Sequence, residues 1–197
     1  MATPLCALVL AAGLGSRYQA VAGKGASKLL APCIGRDGVE RPVLGQVLSN
    51  LQGVVDKCLL VTRHGQHEIA RLARHYNCEL VLLDSAGMGD SIAAAVAMAP
   101  DCAGWLVVLG DMPFILPSTL QSVANSLQAD AISVPLYQGE RGHPVGFGQQ
   151  LGPGLMALSG DQGARRLFKT ARVQSIEVSD PGVLWDVDVP QALVYPG

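Results

Sequence analysis

A glycine-rich segment near the start of the chain has the residue types that bind phosphate groups. Gly13 and Gly15 follow an apolar run directly, and Arg17 comes shortly after them. Glycines let the backbone approach a phosphate closely, so that backbone N–H groups donate to the anion. Arg17 and a lysine, either Lys28 or Lys24, would neutralise the charge of a triphosphate. We therefore expect a triphosphate-binding loop, whereas the loop taken alone would also fit an ordinary glycine-rich turn.

The spacing of this loop argues against two other classes of phosphate-binding protein. A P-loop NTPase would need the pattern GxxxxGK[ST], which the sequence lacks. The dinucleotide pattern GxGxxG also fails, because Tyr18 occupies the place of its last glycine. Neither a P-loop NTPase nor a nicotinamide-dependent dehydrogenase is favoured.

Asp111 is the first candidate for a metal ligand. It follows the apolar segment Trp105–Leu109, which is typical of a buried strand. A carboxylate at the end of such a strand costs free energy unless it is paired or bound to a cation. Mg²⁺ prefers one or two protein carboxylates together with phosphate oxygens and water. We therefore expect Asp111 to bind Mg²⁺, although an Asp shortly before Pro113 also suits a simple turn.

A second carboxylate is available near the C-terminus. Asp186 and Asp188 alternate with apolar residues, an arrangement that would put both on one face of an extended strand. Either could reach the metal, and we favour Asp188, with Asp186 as the alternative. Both could instead cap the helix expected to follow them.

The segments that position these residues alternate between strand and helix patterns. Runs rich in β-branched and aliphatic residues predict strands at Leu5–Ala11, Lys57–Thr62, Cys78–Leu83, Trp105–Leu109 and Asp130–Leu136. Helical patterns lie between them at Pro42–Leu51, Gln66–Tyr76, Asp90–Ala99 and Pro117–Leu127. This order predicts an α/β fold with a mixed, mostly parallel sheet and helices on both faces. Ligands of such sheets bind beyond the carboxyl ends of the strands, here after Ala11, Leu83 and Leu109.

The alternation stops after Leu136, where glycines become frequent. A helix near Ala164–Lys169 and a strand near Val173–Val178 would extend the same sheet. Because no linker, repeat or low-complexity segment divides the sequence, we expect a single Rossmann-like domain over residues 1–197.

Composition excludes several classes of protein. Of the 197 residues, 49% are hydrophobic and 15% are charged, which excludes a disordered chain. The net charge of −2, without a basic tract, argues against a nucleic-acid partner. The apolar run near the start is too short to span a membrane and lacks the basic flank of a signal peptide. The five cysteines include no CxxC pair, so we expect a cytoplasmic protein with reduced cysteines.

Two glycine-rich stretches in the second half carry candidate contacts to an acceptor molecule. His143 lies beside a proline, where its ring could donate to a phosphate or orient an acceptor. A surface histidine bonded to its neighbours is the structural alternative. Gly163 begins a predicted helix, so backbone N–H groups there could hold an anionic acceptor with Arg165 nearby.

Taken in order, these segments resemble one family over nearly the whole chain. LVLAAGLGSR, followed by SKLLAP, resembles the signature LAAGxGxR…K of the molybdopterin-guanine-dinucleotide-synthase-like (MobA-like) NTP transferases. GDMPF resembles the family's metal motif, WDVDVP resembles its DIDTPED, and GMGDSI resembles its GMGxSL. RGHPVGF and GDQGAR resemble GHPVxF and GDxGAR of the molybdenum cofactor cytidylyltransferase branch.

The chain departs from the family pattern at two places. Ten residues separate Arg17 from Lys28, where most members have only a handful, and the C-terminal motif has Val, Gln and Ala in place of Thr, Glu and Asp. We prefer Lys28 as the phosphate-binding lysine, because Lys28-Leu29-Leu30 continues as the family does, and keep Lys24 as the alternative.

The resemblance implies a Mg²⁺-dependent nucleotidyltransferase that converts CTP and molybdopterin cofactor into the cytidine dinucleotide and pyrophosphate. Arg17, Lys28 and Asp111 would be catalytic, and Asp111 and Asp188 would bind the metal. The expected nucleotide contacts are Leu10, Ala11, Ala12, Gly13, Gly15, Ser16, Arg17, Lys28, Gly89 and Ser91. The acceptor would contact His143, Gly163 and Arg165, and a molybdoenzyme or its chaperone would be a partner.

Base preference and acceptor leave alternatives open. Guanine-using members more often have LAGG where this chain has LAAG, which favours CTP over GTP. The enzymatic alternatives are a GTP-using molybdopterin transferase and a nucleotidyltransferase for a sugar or polyol phosphate. A nucleotide- or cofactor-binding module without turnover is the alternative from another class.

Overall fold

An eight-stranded β-sheet organises residues 3–84 and 87–196, the part of the chain described by a computed structural model. The strands are β1 (Leu5–Leu10), β2 (Pro32–Ile34), β3 (Glu40–Pro42), β4 (Lys57–Thr62), β5 (Glu79–Leu82), β6 (Gly104–Leu109), β7 (Ala131–Tyr137), β8 (Glu140–Arg141), β9 (Val145–Gly148) and β10 (Arg172–Glu177). The helices are α1 (Ser16–Ala22), α2 (Val43–Asn50), α3 (His67–His75), α4 (Met88–Met98), α5 (Pro117–Asn125) and α6 (Gly152–Met156).

The sheet is mixed and mostly parallel, as expected. Its order is β10-β7-β9-β6-β1-β4-β5, and β8 pairs with β7 at the side of this path. Only β8 and β9 run antiparallel to their neighbours in this sheet, as far as the described residues show. Strands β2 and β3 form a separate antiparallel pair. Because β1 lies between β4 and β6 with all three parallel, the loops that follow these strands meet at one edge.

Alternation along the central strands builds one apolar core on each face of the sheet. In β1, Cys6 and Leu8 join one buried cluster, whereas Ala7 and Val9 join the other. Helices α4 and α6 contribute to the first cluster, and α2, α3 and α5 contribute to the second. The result is a three-layered α/β/α arrangement that matches the predicted fold class.

The structure differs from the sequence expectations at several places, and it adds α1, α6, β8 and the β2–β3 pair, which the hydrophobic patterns do not predict. Residues 163–169 form a 3-10 helix rather than an α-helix. Strand β9 is not predicted, since its sequence VGFG is half glycine. Its Gly148 is needed for close backbone packing, because an added Cβ would lie 1.9 Å from the Gln128 carbonyl oxygen. The segment with Asp186 and Asp188 lies outside the strands and follows a 3-10 turn at Pro181–Leu184.

None of the helices in the described ranges combines the length and the apolar character needed to cross a bilayer.

Candidate functional site

The predicted phosphate loop leaves the carboxyl end of β1. The N–H of Ala11 donates to the Val61 carbonyl at 2.8 Å, so contact with β4 continues to the last residue before the loop turns. Gly15 has φ +62°, a left-handed conformation that favours glycine, and α1 begins at the next residue. The N–H groups of Gly13, Leu14 and Gly15 make no hydrogen bond to any described residue. The loop therefore presents unpaired donors, as an anion-binding loop requires.

Four of the predicted site residues meet in one cluster of ion pairs. The Lys28 Nζ lies 2.6 Å from Oδ2 of Asp111 and 2.9 Å from Oδ1 of Asp188. Arg17 donates from Nη1 to the other Asp188 oxygen at 2.5 Å. Lys24, the alternative lysine, is exposed and makes no ion pair with the described part of the chain. The geometry thus brings Lys28, and not Lys24, to the carboxylates.

The backbone explains how residues so distant in sequence come together. Asp111 follows β6 and the phosphate loop follows β1, and these strands are parallel neighbours. The Val187 N–H donates to the Asp111 carbonyl at 2.8 Å, which fixes the C-terminal segment beside the end of β6. The Val187 side chain is buried with Phe114 and Tyr18. The side chains on either side of Val187 are therefore held next to Asp111.

The electrostatics of the cluster follow from its excess of carboxylates. Burial opposes the charge of Lys28, but Asp111 and Asp188 outweigh this effect and raise the Lys28 pKa. The hydrogen bond from Lys28 is the main cause that lowers the pKa of Asp188. Burial, and then the charges of Asp188 and Asp111, raise the pKa of Asp186. Three carboxylates thus share the positive charge of Lys28 and Arg17.

The residues of this cluster fit a magnesium ion. Carboxylate oxygens from Asp111 and Asp188 already converge on one cation, the Lys28 ammonium group. Both carboxylates are partly open to solvent, with 20% and 30% of their side chains exposed, so water and phosphate oxygens have access. Mg²⁺ prefers one or two protein carboxylates at a site where phosphate oxygens and water supply the other ligands. Asp186 lies near them but makes no ion pair with the described residues, so Asp188 remains the preferred candidate for the second ligand.

A small cavity of about 160 Å³ lies between the phosphate loop and the start of α4. Its lining includes the predicted nucleotide contacts Leu10, Ala12, Gly13 and Ser91, together with Asp111. The Ser91 hydroxyl donates to the Gly87 carbonyl at 3.1 Å, and Gly87 is the N-cap residue of α4. Residues 85 and 86 of the predicted ligand loop after Leu83 lie outside the described residues.

Gly89 faces the loop at Ser159–Gly160 rather than this cavity. Its N–H donates to the Gly160 carbonyl at 2.8 Å, and an added Cβ would lie 2.9 Å from that oxygen. The Asp90 carboxylate accepts from the Gly160 N–H at 3.2 Å. Gly89 therefore joins the nucleotide side of the site to the segment predicted to hold the acceptor.

The predicted acceptor residues line a second cavity of about 270 Å³. His143, Gly163 and Arg165 all contribute to it, and Met88 lines both this cavity and the smaller one. Burial lowers the pKa of His143, and the negative charge of Asp111 partly opposes this effect. The acceptor cavity therefore lies within electrostatic range of the carboxylate cluster.

Arg141 also lines the acceptor cavity and was not among the predicted site residues. Its guanidinium lies 5.6 Å from the centre of the Phe168 ring and makes no ion pair with the described residues. Its position directly before Gly142-His143 was the available signal, although an exposed arginine in a glycine-rich stretch gives no indication that it borders a cavity. The largest cavity, about 730 Å³, lies between the β2–β3 pair and the C-terminal segment, and the predicted site residues do not line it.

Comparison with known proteins agrees with this arrangement. The MobA-like NTP transferase domain matches residues 7–176. The bifunctional protein GlmU of Kineococcus radiotolerans is 31% identical over 159 residues, which are 78% of this chain and 30% of that protein. The purine catabolism protein PucB of Bacillus subtilis is 29% identical over 110 residues, 53% of each protein. The chain therefore spans about half or less of the length of these curated relatives.

Two solved structures extend the similarity to nearly the whole chain. A nucleotidyl transferase from Methanothermobacter superposes with a TM-score of 0.79 at 26% identity and covers 97% of this chain and 94% of that one. Rv0371c from Mycobacterium tuberculosis, solved as a complex with manganese, has a TM-score of 0.74 at 26% identity and covers 98% and 96%. Since the domain match includes the phosphate loop, Lys28 and Asp111, the chain belongs to the MobA-like NTP transferase family.

Proposed function

We propose that this protein is a nucleotidyltransferase that moves a nucleoside monophosphate from an NTP to a phosphate-bearing acceptor. The observation that carries the proposal is the convergence of Lys28, Asp111 and Asp188 beside a loop with unpaired N–H donors. Such a site can bind a triphosphate and a divalent cation side by side.

The chemistry needs positioning and charge neutralisation more than proton transfer. An ionised oxygen of the acceptor phosphate attacks the α-phosphorus, a new P–O bond forms, and the bond to the β-phosphate oxygen breaks to release pyrophosphate. Gly13, Gly15, Arg17 and Lys28 would hold the phosphates that leave. Asp111 and Asp188 would hold Mg²⁺, which supplies charge neutralisation at the reacting phosphates.

The acceptor cavity supports a ring-containing phosphate ester such as molybdopterin. Its lining includes the apolar residues Val107, Val145 and Phe147, and the positive charge of Arg141 and Arg165 outweighs the negative charge of Asp161. An apolar lining suits a flat ring system, and the guanidinium groups suit a phosphate. A sugar or polyol phosphate would bind the guanidinium groups but leave the apolar side chains without a partner. The product would then pass to a molybdoenzyme or its chaperone.

Two observations support CTP as the favoured nucleotide. The LAAG loop resembles the cytidylyltransferase branch, and Ala12 from this loop is buried at the wall of the small cavity.

The cysteines support a cytoplasmic setting, because the five of them include no CxxC pair.

A coupled assay of pyrophosphate release across the four NTPs, with molybdopterin and a panel of sugar and polyol phosphates, tests the proposal. We expect CTP to exceed GTP by at least about tenfold in kcat/KM, because one mismatched buried contact to the base costs roughly 1–3 kcal/mol. Asp111→Ala should retain less than about a tenth of the wild-type activity at saturating Mg²⁺. Asp101→Ala, an exposed residue after α4, is the matched control and should behave like the wild type.

Each outcome of this assay separates two of the competing functions. Better turnover with GTP would overturn the cytidylyl assignment and leave nucleotidyl transfer standing. A preference for a sugar or polyol phosphate would overturn the molybdopterin assignment. Nucleotide binding without pyrophosphate release from any pair of substrates would favour the non-catalytic binding module.

A further inference from the structure

A separate cavity of about 260 Å³ lies on the β4 side of the phosphate loop. The loop residues Gly13–Gly15 form one wall, and residues 25–29 form another. Arg63 and Gln66, from the connection between β4 and α3, close the third side. We call this space the Arg63 cavity. Residues 25–27 belong to the long segment between Arg17 and Lys28, so this segment contributes directly to the cavity.

Arg63 is a half-buried cation without a partner. It is the first residue after β4 and makes no hydrogen bond or ion pair with the described residues. Asp84 is near, but its carboxylate already accepts from the His64 N–H at 3.0 Å and lies 2.8 Å from Nδ1 of the His64 ring. The pKa of Asp84 is lowered mainly by that backbone hydrogen bond and only slightly by Arg63. The guanidinium donors of Arg63 thus remain available.

The lining of the Arg63 cavity carries positive charge and no acidic residue. It includes Lys28, Arg63 and the loop residues Gly13–Gly15, whose N–H groups make no hydrogen bond to the described residues. Its other polar side chains are the neutral Gln19, Ser27 and Gln66, and the rest of the lining is apolar or glycine. Two cations beside these N–H groups suit an anion with several oxygens. Phosphate esters and pyrophosphate have this chemistry.

Lys28 connects this cavity with the carboxylate cluster. It contributes to the cavity wall, while its Nζ reaches Asp111 and Asp188. One side of Lys28 is therefore acidic and suits a metal ion, and the other side is cationic and suits phosphates. The acidic side would hold the metal ion near the α-phosphate, where the reaction occurs. The cationic side would face the β- and γ-phosphates.

We propose that Arg63 binds the β- and γ-phosphates of the NTP and holds the pyrophosphate that leaves. This inference rests on the proposed nucleotidyl transfer and adds a phosphate ligand from the β4–α3 connection. In this arrangement Arg63 would reach the phosphates from the β4–α3 connection, whereas Arg17 would reach them from the start of α1. The guanidinium of Arg63 would act on the leaving group and not on the base or the acceptor.

Calorimetric titration of the full chain with inorganic pyrophosphate, and separately with CMP, tests this inference in the presence of Mg²⁺. Arg63→Ala should bind pyrophosphate at least about tenfold more weakly than the wild type, because it lacks one charge-assisted contact. CMP, which has no β- or γ-phosphate, should bind within about twofold of the wild type. The pyrophosphate affinity of Arg63→Lys should fall between those of the wild type and Arg63→Ala, because lysine keeps the charge but loses the guanidinium fork.

Arg74→Ala is the matched control, since Arg74 is an exposed arginine on α3 outside this cavity. It should bind pyrophosphate like the wild type. The inference is overturned if Arg63→Ala binds pyrophosphate within about twofold of the wild type, if both ligands weaken equally, or if the wild type binds no pyrophosphate. Turnover is measured separately. A folded wild type that binds pyrophosphate through Arg63 but transfers no nucleotide would refute the proposed function and support the anion site.

Discussion

At the residue scale, the site depends on the Lys28 ammonium group, which joins two carboxylates from different ends of the chain. Only 14% of its side chain is exposed, and Asp111 and Asp188 both accept from its Nζ. Without this cation, two carboxylates would face each other with only Arg17 to offset their repulsion. Lys28 thus holds the two carboxylates together, and under the proposed function the same charge would neutralise phosphate.

We predict that Lys28→Ala lowers kcat/KM at least about 100-fold, a loss of roughly 2.7 kcal/mol in transition-state stabilisation. Lys24→Ala should remain close to the wild type, because Lys24 is exposed and distant from the ion-pair cluster. Steady-state kinetics at saturating Mg²⁺ compares the two variants. A larger loss for Lys24→Ala than for Lys28→Ala would show that the lysine of the phosphate loop is wrongly assigned.

The sequence was informative for residues in an unusual position. Asp111 was recognisable because it is an acidic residue at the end of a strongly apolar strand. Gly13 and Gly15 were recognisable because they open the loop that directly follows another apolar strand. Arg63 follows a strand in the same way, but an arginine there is equally typical of an exposed loop. Its isolation from acidic partners depends on the tertiary position of His64 beside Asp84, which local sequence does not encode.

At the scale of elements, the nucleotide and acceptor sides of the site are joined by the start of α4. The Gly89 N–H donates to the Gly160 carbonyl, and the Asp90 carboxylate accepts from the Gly160 N–H. Gly89 also has no room for a side chain, since a Cβ would lie 2.9 Å from backbone oxygens of both Ser159 and Gly160. Any shift of this helix start therefore moves the loop that precedes Gly163 and Arg165.

We predict that Gly89→Ala destabilises the fold by about 1–3 kcal/mol, the usual cost of overpacking a tight contact. Because the clash pushes the 159–160 loop away, KM for the acceptor should rise more than KM for the NTP. Urea unfolding and steady-state kinetics measure the two effects. Ala97→Ser, an exposed substitution in the same helix, is the control. An unchanged acceptor KM in a Gly89→Ala protein would contradict the coupling.

Most elements were predictable where hydrophobic periodicity is strong. The predicted strand at Lys57–Thr62 has the observed bounds, and the others of the parallel core agree within a few residues. Strand β9 was not predictable, because Gly146 and Gly148 remove the alternation that marks a strand. Gly148 is required by tertiary packing, because a Cβ there would lie 1.9 Å from the Gln128 carbonyl oxygen. Strand β9 therefore depends on its partners β6 and β7.

At the scale of the whole molecule, the site is completed by a C-terminal segment that is anchored through one buried carboxylate, that of Asp180. Asp180 is only 2% exposed and accepts from Arg36 at 2.5 Å and from the Thr119 hydroxyl at 2.8 Å. It also accepts from the N–H groups of Leu116 at 2.9 Å and Gly182 at 3.0 Å. One buried carboxylate thus connects the β2–β3 pair, the start of α5 and the segment that leads to Asp188.

We predict that Asp180→Ala lowers the free energy of unfolding by about 3–5 kcal/mol, because removal of one partner leaves buried charge and donors unpaired. Asp180→Asn keeps one oxygen acceptor and the side-chain shape, so it should lose less and remain folded. Even when folded, Asp180→Asn should show lower kcat, since the segment that carries Asp188 loses its charged anchor.

Urea unfolding and pyrophosphate release measure these two effects on stability and kcat. Asp130→Ala removes an exposed ion pair with Arg172 and is the control, for which the unfolding midpoint should hardly change. Two results together would show that other contacts hold the C-terminal segment in place. Asp180→Asn would have wild-type stability and kcat, and Asp180→Ala would lose no more unfolding free energy than Asp130→Ala.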